Sequence, residues 1–99
     1  MSSAPETSYE KLPCQKTMGH AFRLACEQDK PIMMDYWTLS CNNSVLVGVK
    51  ADGEKLLVKS DEEYTSPIAK MYQVENDYIV VTENSIYITL AGIETRKIS

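Results

Sequence analysis

The chain has 99 residues with 14 acidic and 10 basic side chains, a formal net charge of -4, which bounds it to one domain with a modest core. Basic residues stand singly apart from Arg96-Lys97, so there is no basic face to release counterions from a phosphate backbone and none to anchor on an anionic membrane. Three cysteines, Cys14, Cys26 and Cys41, cannot form a complete intramolecular disulfide framework, and no run approaches the ~20 apolar residues that span a bilayer. The expected protein is soluble and intracellular, without a targeting signal.

In chain order, residues 1–16 read as a polar N-terminal arm with two prolines and no apolar periodicity. A short helix is predicted from Met18 to Gln28. Thr17 is its expected N-cap, and Met18, Phe22, Ala25 and Cys26 are its expected apolar face. Asp29-Lys30-Pro31 ends it, because the residue before proline is pushed out of helical space.

From Ile32 the period changes to two, and Ile32 to Trp37 reads as a strand. Leu39 to Asn43 reads as a loop by its small polar content. Ser44 to Lys50 and Lys55 to Ser60 form a predicted hairpin with Asp52-Gly53 at its tip, where glycine supplies a positive φ without steric cost. Asp61-Glu62-Glu63 is an acidic connection, and Ser66-Pro67 opens the last unit.

That unit, Lys70 to Leu90, is the densest strand signal in the chain. Its Tyr, Val, Ile and Thr residues suit a pleated surface, and Glu75-Asn76-Asp77 and Glu83-Asn84 mark two turns that make three antiparallel strands. Tyr78 to Val81 and Ile86 to Ile88 are nearly continuous in apolar character, which predicts cover on both faces. Ala91-Gly92 is read as a stop and residues 93–99 as a second tail.

The expected fold is therefore mainly β (α+β). One short N-terminal helix precedes an antiparallel meander of about six strands within residues 17–92, with a small SH3-like barrel as one way to cover the second face.

Chemistry is sparse. Cys14, His20, Cys26 and Cys41 would make up one Cys3His zinc set, but no C-x2-4-C knuckle is present, so neither metal nor cofactor is assigned. His20 and Cys26 lie six residues apart, which points them away from each other on a helix. No nucleophile elbow, phosphate loop or dinucleotide fingerprint occurs. Asp35, set among apolar and aromatic neighbours, is the one carboxylate whose desolvation would suit a general acid, and an outward or backbone-bonded Asp is the stronger reading.

The aromatic set is more informative. Tyr and Trp combine contact area with a polar tip, so Tyr36, Trp37, Tyr64, Tyr72, Tyr78 and Tyr87 are the candidates for a protein-contact surface.

The stretches DKPIMMDYW, GEKLLVKSDEEYTSPIAK and DYIVVTENSIYIT, within Lys30 to Thr89 in the main, resemble small uncharacterised proteins of large DNA viruses of algae and protists. The resemblance implies a virion or host-interaction component and transfers no site. Together with the aromatic set it leads to a non-catalytic interaction or assembly protein, a minor virion (capsid) protein among the options, whose partners are other proteins of the assembly. The alternatives are a single-stranded nucleic-acid module that stacks bases on Tyr and Trp, disfavoured by the acidic balance, and a minor enzyme using Asp35.

Overall fold

A computed structural model of the chain describes residues 12–98. Most of the predicted polar arm lies outside the described residues. Helix α1 (Gln15–Gln28) is followed by β1 (Ile32–Met33), helix α2 (Asp35–Cys41), β2 (Leu46–Val49), β3 (Lys55–Ser60), β4 (Glu63–Tyr64), β5 (Ile68–Val74), β6 (Asp77–Thr82), β7 (Ile86–Leu90) and β8 (Glu94–Lys97).

The strands form two mixed four-stranded sheets, ordered β1-β7-β6-β5 and β4-β3-β2-β8. Both predicted hairpin units are present, with β2 antiparallel to β3 and β5, β6 and β7 antiparallel in sequence. The β5–β6 turn carries Glu75 at φ 54°, and Gly53 sits at φ 92° in the β2–β3 turn.

The all-antiparallel meander needs correcting. β1 pairs with β7 in parallel, Ile32 opposite Ile86, and β2 pairs with β8 in parallel, Leu46 opposite Glu94. The long crossovers that parallel pairing requires are here the intervening elements themselves. Residues 94–97, expected as tail, are thus a strand. Where a closed barrel was an option, the described residues form two separate sheets and no closed barrel.

Three layers result. On one face of the first sheet, Ile79, Val81, Ile86 and Ile88 pack with Ala21 of α1 and Trp37 of α2. On its other face, Val80 packs with Val47 and Leu57 of the second sheet, Val45 and Tyr36. The central strands β6 and β7 are therefore covered on both sides, as their continuous apolar runs require.

Helix α1 begins earlier than predicted and shows a different face. Thr17 and Ala21 are buried, Met18, Leu24 and Ala25 are half-buried, and Phe22 is exposed at 58%. The N-cap is Cys14, not Thr17. The cause is a remote carboxylate, since buried Asp77 at the start of β6 accepts from the Thr17 hydroxyl at 2.8 Å and the Cys14 N–H at 2.9 Å. Those two bonds fix the helix rotation and set a negative charge at its positive end.

The predicted strand Ile32 to Trp37 is also corrected. Only Ile32 and Met33 pair, and the chain turns helical at Asp35, which occupies the first turn of α2. Tyr36, Trp37 and Ser40 are buried at i, i+1 and i+4, a helical spacing. The Leu39-Ser40-Cys41 part of the expected loop belongs to this helix. Ser40 Oγ accepts from the Leu90 N–H at 3.0 Å and donates to the Trp37 carbonyl at 2.7 Å, so α2 covers the β7 edge beyond the end of β1.

Candidate functional site

The six aromatic candidates do not share one surface. Trp37 is 3% exposed inside the core under α1, and Tyr36 is 4% exposed between the sheets. Tyr36 meets Tyr87 edge-to-face with ring centroids 5.1 Å apart, and Tyr78 packs half-buried in the same inter-sheet cluster. Tyr64 and Tyr72 alone are open, at 60% and 38% exposure, on β4 and β5 of different sheets. The buried or half-buried tyrosines, Tyr36, Tyr78 and Tyr87, are those that reach the space between the two sheets.

Around Tyr36 the polar groups serve as a clip. Lys59 Nζ of β3 lies 4.8 Å from the Tyr36 ring centre and 3.1 Å from Asp35 Oδ2. The Tyr36 phenol is pushed up to about 12, first by burial and then by Tyr87, Asp35 and Glu63. That direction keeps the phenol neutral, opposite to what a tyrosine base or nucleophile needs. Asp35 has its side chain 46% exposed and paired with Lys59, an environment that ties α2 to the second sheet rather than a cleft around an acid.

Cys14 and Cys26 stand near opposite ends of α1, roughly 18 Å apart along its axis at 1.5 Å per residue, and Cys41 ends α2. Among the described residues no three His, Cys, Asp or Glu side chains come together as a metal site. None of the described helices is long and apolar enough to cross a membrane.

The sheet edges are more telling. β1 and β4 have two residues each, and α2 continues the cover that β1 begins. Beyond β4, Thr65 extends the protection of β3, with its N–H on the Leu57 carbonyl at 2.9 Å and its Oγ1 accepting from the Leu57 N–H at 3.1 Å. β8 is exposed throughout and studded with charge, Arg96 pairing with Glu94 at 2.8 Å. Shortness and charge are standard ways to blunt an edge.

β5 differs. It has seven residues and ends its sheet, and after an irregularity between Ile68 and Lys70 its register with β6 is unbroken from Lys70 to Val74. A groove of about 330 Å³ runs beside it, walled by His20, Arg23 and Leu24 of α1 and by Tyr72, Gln73 and Val74 of β5, with Ile79 also lining it. A larger cleft of about 400 Å³ lies where Asn43 and Ser44 meet Gly92 to Arg96, but its one cation, Arg96, is already held by Glu94. In the β5 groove, the side chains of His20 and Arg23 have no hydrogen bond or ion pair among the described residues.

Of that groove, sequence reading singled out Tyr72 as a contact residue. The sequence marks His20 only as a member of the Cys3His set and leaves Arg23 unmarked. The signal that pointed to them was available in part: i and i+3 on a helix place His20 and Arg23 on one side. Comparison of the chain with protein-family models, curated proteins and solved structures found no match.

Proposed function

We propose that this chain is a non-catalytic protein-contact module that works as a component of a larger assembly. The observation that supports this reading is the β5 edge, which pairs with no further strand among the described residues: a regular strand edge is a template for a strand from another chain. The exposed Tyr72 beside it supplies the amphipathic contact that such surfaces favour. The resemblance to small proteins of large DNA viruses makes the virion the assembly to examine first. Burial of Tyr36 and Trp37 leaves only Tyr64 and Tyr72, on different sheets, for the base stacking of the nucleic-acid alternative, and Asp35 is engaged in an ion pair with Lys59, which favours the contact reading over both alternatives.

The test is the mass of the native particle that contains this chain, measured by light scattering on material from its natural source. A mass far above 11.2 kDa is expected, with cross-links to the partner at Lys70 on β5. A monomer in that material overturns the proposal.

A further inference from the structure

The β5 groove has a polarity of its own, and this inference rests on the protein-contact reading above. Helix α1 runs antiparallel to β5: Thr17 Oγ1 reaches the Val74 carbonyl at 3.4 Å, while Lys30 Nζ reaches the carbonyl of Thr82, the residue opposite Ile68, at 2.7 Å. Register places Lys70, Tyr72 and Val74 opposite Val81, Ile79 and Asp77, so these β5 residues face α1. Arg23 stands on the helix wall, and Lys70 continues the same strand face beyond Tyr72. The Lys70 side chain, like that of Arg23, has no ion pair or hydrogen bond among the described residues. The acid at the far end of β5 is already engaged, Glu75 with Lys16 at 3.3 Å.

We propose that the groove between α1 and β5 binds an extended, acidic segment of a partner protein, which adds as a fifth strand to the β5 edge and sets a carboxylate against Arg23. Backbone pairing along Lys70 to Val74 supplies the hold, and helix-facing side chains of the incoming strand fall on alternate residues, about 7 Å apart. One of these meets Arg23 and Tyr72, and the next approaches Lys70. Arginine suits the first position because its planar fork binds a carboxylate through two N–H donors. Charge also decides against a second copy of this chain: symmetric β5–β5 pairing would bring Lys70 and Arg23 of both copies to one seam, and like charges there repel.

The experiment selects a random decapeptide library against the immobilised full chain and titrates the enriched peptides by fluorescence anisotropy, with R23E and K70E variants alongside. The expected consensus alternates β-forming residues with Asp or Glu. R23E should weaken binding about tenfold or more, and replacing the peptide's acid by Lys should restore affinity for R23E. Amide shifts in the labelled chain should concentrate at Ala69 to Val74.

Failure to enrich any peptide, a consensus without acids, indifference to R23E, or shifts elsewhere each overturn the proposal. So does peptide binding that appears only after removal of residues 1–11, which assigns the groove to the chain's own terminus, or a concentration-dependent doubling of mass, which assigns it to a second copy. A neutral consensus that still maps to β5 leaves the protein-contact reading intact. Failure to enrich any peptide together with a monomeric native mass removes both.

Discussion

The two sheets have equal strand numbers and unequal surroundings. The β1-β7-β6-β5 sheet lies between α1 and the second sheet, while the β4-β3-β2-β8 sheet has, among the described residues, a neighbouring layer on one face only. On its outer side, Leu56 is held to 6% exposure beside Gly48 and Arg96 at the same register level, and Ile98 crosses over Gly48. The difference shows in composition: β6 is buried at five of six positions, whereas β8 is exposed at all four. Central strands with two covered faces must be largely apolar, and a sheet with a wet face can end in a strand of charged residues.

The largest effect that separates the sheets is a cavity. Ile88→Ala empties a fully buried site in the cluster that joins the first sheet to Ala21 and Trp37, and it should cost about 3 to 4 kcal/mol. Leu56→Ala removes the same number of carbons from a position beside an open cleft that water can refill, and about 1 to 2 kcal/mol is expected. Urea midpoints at constant slope measure both. Equal losses would mean that the outer face of the second sheet is as well enclosed as the inner layer.

The same contrast explains what could be read from the chain. β5, β6 and β7 were legible because adjacent hairpin strands carry their own turn residues and a two-sided apolar run. β8, with Glu94, Thr95, Arg96 and Lys97, has no apolar period, and its place beside β2 is set by backbone pairing with residues about fifty positions away. α2 was hidden because Tyr36 and Trp37 favour strands as isolated residues, while Asp35 in the first turn and the i, i+4 pair Tyr36 and Ser40 favour helix. The rotation of α1 was hidden because it depends on Asp77, sixty residues from Thr17 in the chain. The groove was partly visible, since Tyr72 could be picked by type, but Arg23 gains meaning only when the helix is laid along β5.

A middle-sized effect tests the seam between the sheets. Tyr36 ionises near 10 in the unfolded chain and at about 12 in the fold, so the unfolded state loses this proton first as pH rises. Its contribution is fully present below about pH 10 and disappears by about pH 12, a loss of about 2 to 3 kcal/mol over that window. Tyr36→Phe keeps the ring against Tyr87 and removes the ionisation, so the wild-type and variant stability curves should agree at pH 7 and diverge above pH 10. Parallel curves through pH 12 would place the Tyr36 hydroxyl in water and open the seam there.

The smallest effect concerns the outer face alone. A Cβ at Gly48 would lie 2.7 Å from Ile98 Cδ1 and 3.0 Å from Val58 Cγ2, so this glycine is required by space. Val58 belongs to a paired strand and yields little. Ile98 follows the last strand, is half-buried, and is tied by its N–H to the Val49 carbonyl at 2.8 Å, so its side chain is the part that moves. Gly48→Ala should then cost about 1 kcal/mol. Ile98→Ala should cost less in the Gly48→Ala background than in the wild type, because the displaced side chain no longer packs there. A double-mutant cycle in chemical denaturation reads that coupling. Strict additivity would show that Ile98 does not cover Gly48, and the outer face of the second sheet would then be more open than its 6%-exposed Leu56 implies.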